Sequence, residues 1–147
     1  MKLNDKLSLA SRLLLGLIFA VFGLNGFLHF IPQPPPAPNA VAFLTGMMST
    51  GYFFPLLKGT EVVAGLLLLA NVATPLALVL LAPIVVNISF FHAFLAPEGL
   101  PLPLVIVALL AHQAWSERAR FAPLFSRSAK AKPASEYPPA ANVVPAE

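Results

Sequence analysis

Two ionisable residues, Lys58 and Glu61, interrupt the apolar run Phe53 to Ala70 (FFPLLKGTEVVAGLLLLA). Their spacing of three sets an ammonium and a carboxylate on one helical face, a stripe that Gly65 continues. Such a pair inside a membrane can hold or pass a proton, or neutralise itself and act as a structural tie. Asn25 and His29 stand near the end of an earlier apolar run, and Asn87 and His92 near the end of a later one. Amides can orient a carbonyl ligand, and imidazoles can donate to it or move its proton. At 1.5 Å per residue Glu61 is roughly 12 Å deep, Asn25 and Asn87 roughly 9–12 Å, and His29 and His92 roughly 3–5 Å. One polar cluster near one face of the membrane is the simplest arrangement. Asn25 and His29, four apart, share a helical face, whereas Asn87 and His92, five apart, diverge by about 140°. Eight of the twelve phenylalanines fall on the same side, so Phe27, Phe54 and Phe91 are candidates for a ring-binding lining, with lipid contact the equal alternative.

The elements that must position these groups follow from composition. Hydrophobic residues make up 58% of the 147 and charged residues 10%, with a mean hydropathy of +0.81, which excludes an ordinary water-soluble enzyme. With no cysteine, thiol redox catalysis, disulfides, iron–sulfur clusters and cysteine zinc sites are excluded. Leu13 to Phe30 is long enough for a first crossing at about 27 Å. It is read as an uncleaved helix, because the cleavage-like triplet Ala40-Val41-Ala42 lies too far beyond it for a signal peptide. The prolines of IPQPPPAPN make a stiff connector, and Ala40 to Thr50 forms a short amphipathic, interfacial helix. Phe53 to Ala70 and Pro75 to Leu95 are the second and third crossings, the third carrying Pro83 inside it. Leu104 to Trp115 is a shorter fourth. The fold expected is an all-α membrane protein: a four-transmembrane-helix bundle over residues 1–121 with one interfacial helix after the first crossing. Residues 122–147, rich in Ala, Pro, Ser and Lys, are expected to form a disordered cytoplasmic tail.

Lipid insertion tests the second crossing most severely. Two charges near mid-helix cost roughly 5–7 kcal/mol, and its ten Leu, Val and Phe residues return roughly 3–6 kcal/mol. Lys58 can snorkel outward, but Glu61 must face other helices, pair, or take up a proton. Gly16, Ala20 and Gly23 form a small-residue stripe that admits a close neighbour. His112 and Gln113, near the other end of the bundle, are expected to bond between helices or meet interfacial water. Eight of the nine Lys and Arg lie in Met1 to Arg12 or beyond Trp115, so both termini are expected in the cytoplasm. That pattern orients a membrane protein and does not point to nucleic acid, despite a net charge of +3.

Arg12 with LLLGLIFAVFGLNGFLHF, then GYFFPLLKGTEVVAGLLLLA and PIVVNISFFHAFLAP, together resemble the DoxX family of small bacterial four-helix membrane proteins. The resemblance covers Leu7 to about Phe121, and its most telling part is Lys58-Gly59-x-Glu61-x-x-x-Gly65 combined with Asn87 to His92. The family takes its name from a subunit of an archaeal thiosulfate:quinone oxidoreductase. The resemblance therefore implies a membrane subunit of an oxidoreductase system near the quinone pool of the bacterial cytoplasmic membrane. It transfers no catalytic residue, so the assignments rest on the polar cluster.

Under a quinone-linked reading, His29 or His92 donates to a quinone carbonyl, Glu61 carries the proton and Lys58 is its electrostatic partner. Asn25 and Asn87 orient the ring, and Phe27, Phe54 and Phe91 line the slot. No flavin or nucleotide motif is visible, so a soluble or membrane redox partner must bring the electrons. The alternative is a non-catalytic scaffold that recruits or stabilises partners through its basic end (Arg118, Arg120, Arg127, Lys130, Lys132), with Lys58 and Glu61 as a structural pair. A small-solute or proton carrier is a third reading, and needs a homo-oligomer for most alternating-access schemes. Haem between His29 and His92 is disfavoured, because two lone histidines are more often hydrogen-bonded bundle residues. No His or carboxylate pair has metal-ligand spacing on one helix.

Overall fold

The computed structural model describes residues 3–125. Helix α1 (Leu3–Leu28) opens with Asp5 in its first turn, where a carboxylate complements the exposed amide dipoles. It ends because His29 turns into the left-handed region at φ 52°, from where its N–H donates back to Asn25 O at 3.0 Å. After the prolines, α2 (Pro38–Ser49) starts with proline in its first turn, where no amide hydrogen is needed. Gly51, at φ 73°, breaks the path after α2, and Thr50 Oγ1 accepts the N–H of Phe53 at 3.1 Å as α3 (Phe53–Ala70) begins. Asn71 closes α3 at φ 57°, and a three-residue turn leads into α4 (Thr74–Phe94). A 3₁₀ turn (Pro97–Gly99), α5 (Pro101–Ser116), α6 (Arg118–Phe121) and a second 3₁₀ turn (Ala122–Phe125) follow.

Helices α1, α3, α4 and α5 pack in a ring, with α1 against α3 and α5, and α4 against the same two. Successive members are antiparallel: short turns join α3 to α4 and α4 to α5, and Gly16, Gly23 and Gly26 of α1 face Leu69, Val62 and Lys58 of α3. One end, here the near end, therefore gathers the start of α1, the end of α3, the start of α4 and the end of α5. The far end carries α2 and the Pro97 turn. Leu15, Phe19, Leu68, Leu78, Leu81 and Ile106 fill the shared core. Large apolar side chains such as Leu17, Val63, Val86, Phe90 and Leu104 point outward, an arrangement that suits hydrocarbon and not water. Three helices, α1, α3 and α4, are long and apolar enough to cross a bilayer. Helix α5, at 16 residues, is shorter. Among the described residues there is no strand, and the fold is all-helical.

Helix α3 matches the sequence expectation at both ends. Helix α1 starts ten residues earlier than the apolar run, because hydropathy marks the lipid-facing stretch and not the polar helical turns that precede it. Helix α5 starts at Pro101, since proline is compatible with a first turn. Helix α4 runs through Pro83, whose side is exposed. Within the expected tail, residues 122–125 form the second 3₁₀ turn, and the rest of it, 126–147, lies outside the described residues with Arg127, Lys130 and Lys132.

Candidate functional site

The closest approach in the bundle is the seam between α1 and α3, lined on α1 by Gly16, Ala20, Gly23 and Gly26. A Cβ placed on Gly65 would meet Ala20 N at 2.5 Å and Gly16 O at 2.8 Å, so two backbones are in direct contact. A Cβ on Gly23 would meet Val62 N at 2.9 Å, and one on Gly26 would fall 2.5 Å from Lys58 Cγ. The stem of Lys58 therefore crosses α1 where only glycine leaves room. From there Lys58 Nζ donates to both carboxylate oxygens of Glu61, at 3.1 Å and 2.8 Å. Glu61 is 2% exposed, whereas the side chain of Lys58 is 20% exposed and its Nζ lies 5.9 Å from the centre of the Phe54 ring. The ammonium thus keeps an edge toward the surroundings while its partner is enclosed. Among the described residues, neither makes a hydrogen bond to any group but the other.

The other singled-out polar groups are spread over the far end, and most are used locally. Buried Asn25 holds the start of the connector at two points: Ile31 N–H donates to its Oδ1 at 2.6 Å, and its Nδ2 donates to Ile31 O at 3.1 Å. His29 is exposed just past the helix end. The His92 ring packs on Gly99, and its Nδ1 lies 3.1 Å from Ala96 O, closing the turn after α4. Asn87 is exposed on a different side of α4, as the five-residue spacing requires. Phe91 stacks at a tilt on Phe43 of α2, ring centres 5.6 Å apart, and Phe27 is exposed. No hydrogen bond joins Asn25, His29, Asn87 or His92 to the Lys58–Glu61 pair among the described residues.

The Asn25 clamp gives a test of its own. Asn25→Leu should destabilise the protein by about 1–3 kcal/mol, because Ile31 loses its two bonds to Asn25 while the chain must still turn there. Asn25→Asp, which keeps the acceptor for Ile31 N–H, should recover part of that in a thermal melt in detergent.

Sequence reading missed a second constellation, at the near end. Arg12 Nη1 donates to Leu68 O and Leu69 O in the last turn of α3, tying α1 to that end, where Leu68 O also accepts Asn71 N–H at 3.2 Å. Ser11 Oγ donates to Gln113 Oε1 at 2.8 Å, and His112 Nδ1 lies 3.0 Å from the same hydroxyl. The interhelical bonding expected of His112 and Gln113 is therefore present. Gln113 is fully buried, and its Nε2 has no partner among the described residues. The signal is Ser11 and Arg12 at the polar edge of the first apolar run, where Arg12 reads only as an orienting charge and Ser11 carries no reading at all.

Chemically, the far end offers a closed ion pair, two turn-closing groups and one free amide. Among the described residues no three of His, Asp and Glu gather where they could hold a metal. The three long apolar helices and their outward-facing apolar side chains define the class: a multi-pass helical protein of the lipid bilayer. Compared with protein-family models, curated proteins and solved structures, the chain matches none.

Proposed function

We propose that the chain is a DoxX-like subunit with four crossings, α5 being the fourth and α2 lying in the interface, set in a bacterial inner membrane with both termini cytoplasmic. We further propose that it serves an oxidoreductase system near the quinone pool as an organiser, while a partner protein carries the redox group. With its flanking turns α5 gains the length that its 16 residues lack. The observation that carries the organising role is the Lys58–Glu61 pair: both carboxylate oxygens are held by one ammonium inside the α1–α3 seam, which suits fixing helix register better than passing protons. Exposed Arg118 and Arg120 at the near end supply positive charge for docking an acidic partner surface, with Arg118 also stacked 5.1 Å over the Trp115 ring.

Glu61→Gln tests this reading, because the amide still accepts from Lys58 while losing the ability to ionise. After mild solubilisation the variant should copurify with the same partner as the unmodified protein, and the complex should keep its quinone-reducing turnover. An intact complex that has lost turnover would overturn the organising role in favour of a chemical one.

A further inference from the structure

The connector between α1 and α2 carries prolines at positions 32, 34, 35, 36 and 38. Proline fixes its own φ near −65° and drives the residue before it out of the helical region, so one constraint or the other acts at every position from Ile31 to Pro38. The sequence therefore dictates a left-handed polyproline helix with three residues per turn. Residues 32–37 are neither α-helix nor strand, and Ala37 sits at φ −54°, ψ 143°, in the polyproline region. Both ends are tied down. Asn25 holds Ile31 through two hydrogen bonds, and Ala37 O accepts the N–H of fully buried Ala40 at 2.8 Å as α2 begins. What lies between is presented outward: residues 32–36 are exposed, and none of their carbonyls has a hydrogen-bond partner among the described residues.

We infer that Pro32, Pro35 and Pro38 form a docking ridge at the far end of the bundle for a folded partner domain with an aromatic-lined groove. At three residues per turn and about 3.1 Å per residue, their rings follow one edge about 9 Å apart. All three are exposed. Half-buried Ala37 marks a different edge as the one facing the bundle, and Pro34 shares that edge. Aromatic rings pack flat on such a ridge, and Trp or Tyr donors in the groove wall can bond the open carbonyls. Residues 32–38 carry no charge and only two backbone N–H groups, at Gln33 and Ala37, so charge on a partner gains nothing here. A plain spacer needs stiffness alone. The ridge adds exposed rings in register and a shape fixed at both ends, which removes much of the ordering cost that a free proline-rich peptide meets on binding. It is separate from the Lys58–Glu61 pair and does not depend on the organising role.

The test uses the full chain in detergent micelles, with an isolated WW domain, a proline-binding module with an aromatic groove, as the probe. Saturable binding is expected, about tenfold tighter than that of the free peptide IPQPPPAPN, which has still to be ordered. Pro32→Ser and Pro35→Ser together should weaken it by about tenfold or more, since two ring contacts are lost. Pro34→Ser, on the edge that faces the bundle, should change it by less than about twofold. All three positions are exposed, so melting temperatures close to the parent's are expected. No binding by the full chain, binding no tighter than the peptide's, or equal weakening by the double and the single variant would overturn the inference. A dimer of the parent that the double variant dissociates would put a second copy on the ridge and would equally overturn it. None of these outcomes bears on the Glu61→Gln test.

Discussion

Lys58→Leu should destabilise the folded protein by about 3–5 kcal/mol, since it leaves the Glu61 carboxylate buried without its counter-charge. Glu61→Leu should cost much less, because Lys58 is partly exposed and its stem can carry the ammonium outward. The double replacement should recover most of the loss and could exceed the parent, as apolar side chains in the same volume often do at buried ion pairs. Reversible unfolding in mixed micelles, run as a double-mutant cycle, measures all three. A Lys58→Leu variant as stable as the parent would mean that the pair contributes nothing to α1–α3 register.

The second large effect is expected at Gly65. Gly65→Ala pushes a methyl group onto Ala20 N and Gly16 O, which are backbone atoms and cannot rotate away. Helices α1 and α3 must separate, at about 3 kcal/mol, the upper end of ordinary overpacking. Gly59→Ala on the same helix is the control. Nothing lies within 4 Å of its added carbon, so the change should be neutral or stabilising by up to about 1 kcal/mol. If the two variants melt together, the close approach at Gly65 is not what holds the seam.

Patterns that depend on neighbours along one helix were legible beforehand, and those that depend on how the chain returns were not. Lys58 and Glu61 read as a pair because spacing alone puts them on one face. Gly16, Ala20 and Gly23 read as a packing stripe for the same reason, though Gly26, the one that admits Lys58, was overlooked. Helix α3 was bounded correctly because Gly51 and Asn71 punctuate it, whereas the start of α1 has no apolar signal. Asn25 reads as a ligand-orienting amide, yet its two bonds go to Ile31, six residues on, and nothing in the spacing shows that the connector folds back. Arg12 reaches Leu68 across 56 positions, a contact that only the assembled ring of helices creates.

Among the described residues, the side-chain hydrogen bonds that join the four bundle helices sit at the near end: Ser11 to Gln113, His112 to Ser11, and Arg12 to the end of α3. The opposite end relies on apolar packing, ring contacts and the Gly26 notch. Directional bonds fix both spacing and rotation, while small-residue packing in lipid fixes chiefly how closely two helices approach. The four helices are consequently pinned by directional bonds at one end only, and at the other their order depends on the fit of α1 against α3, where Gly23 and Gly26 leave no slack.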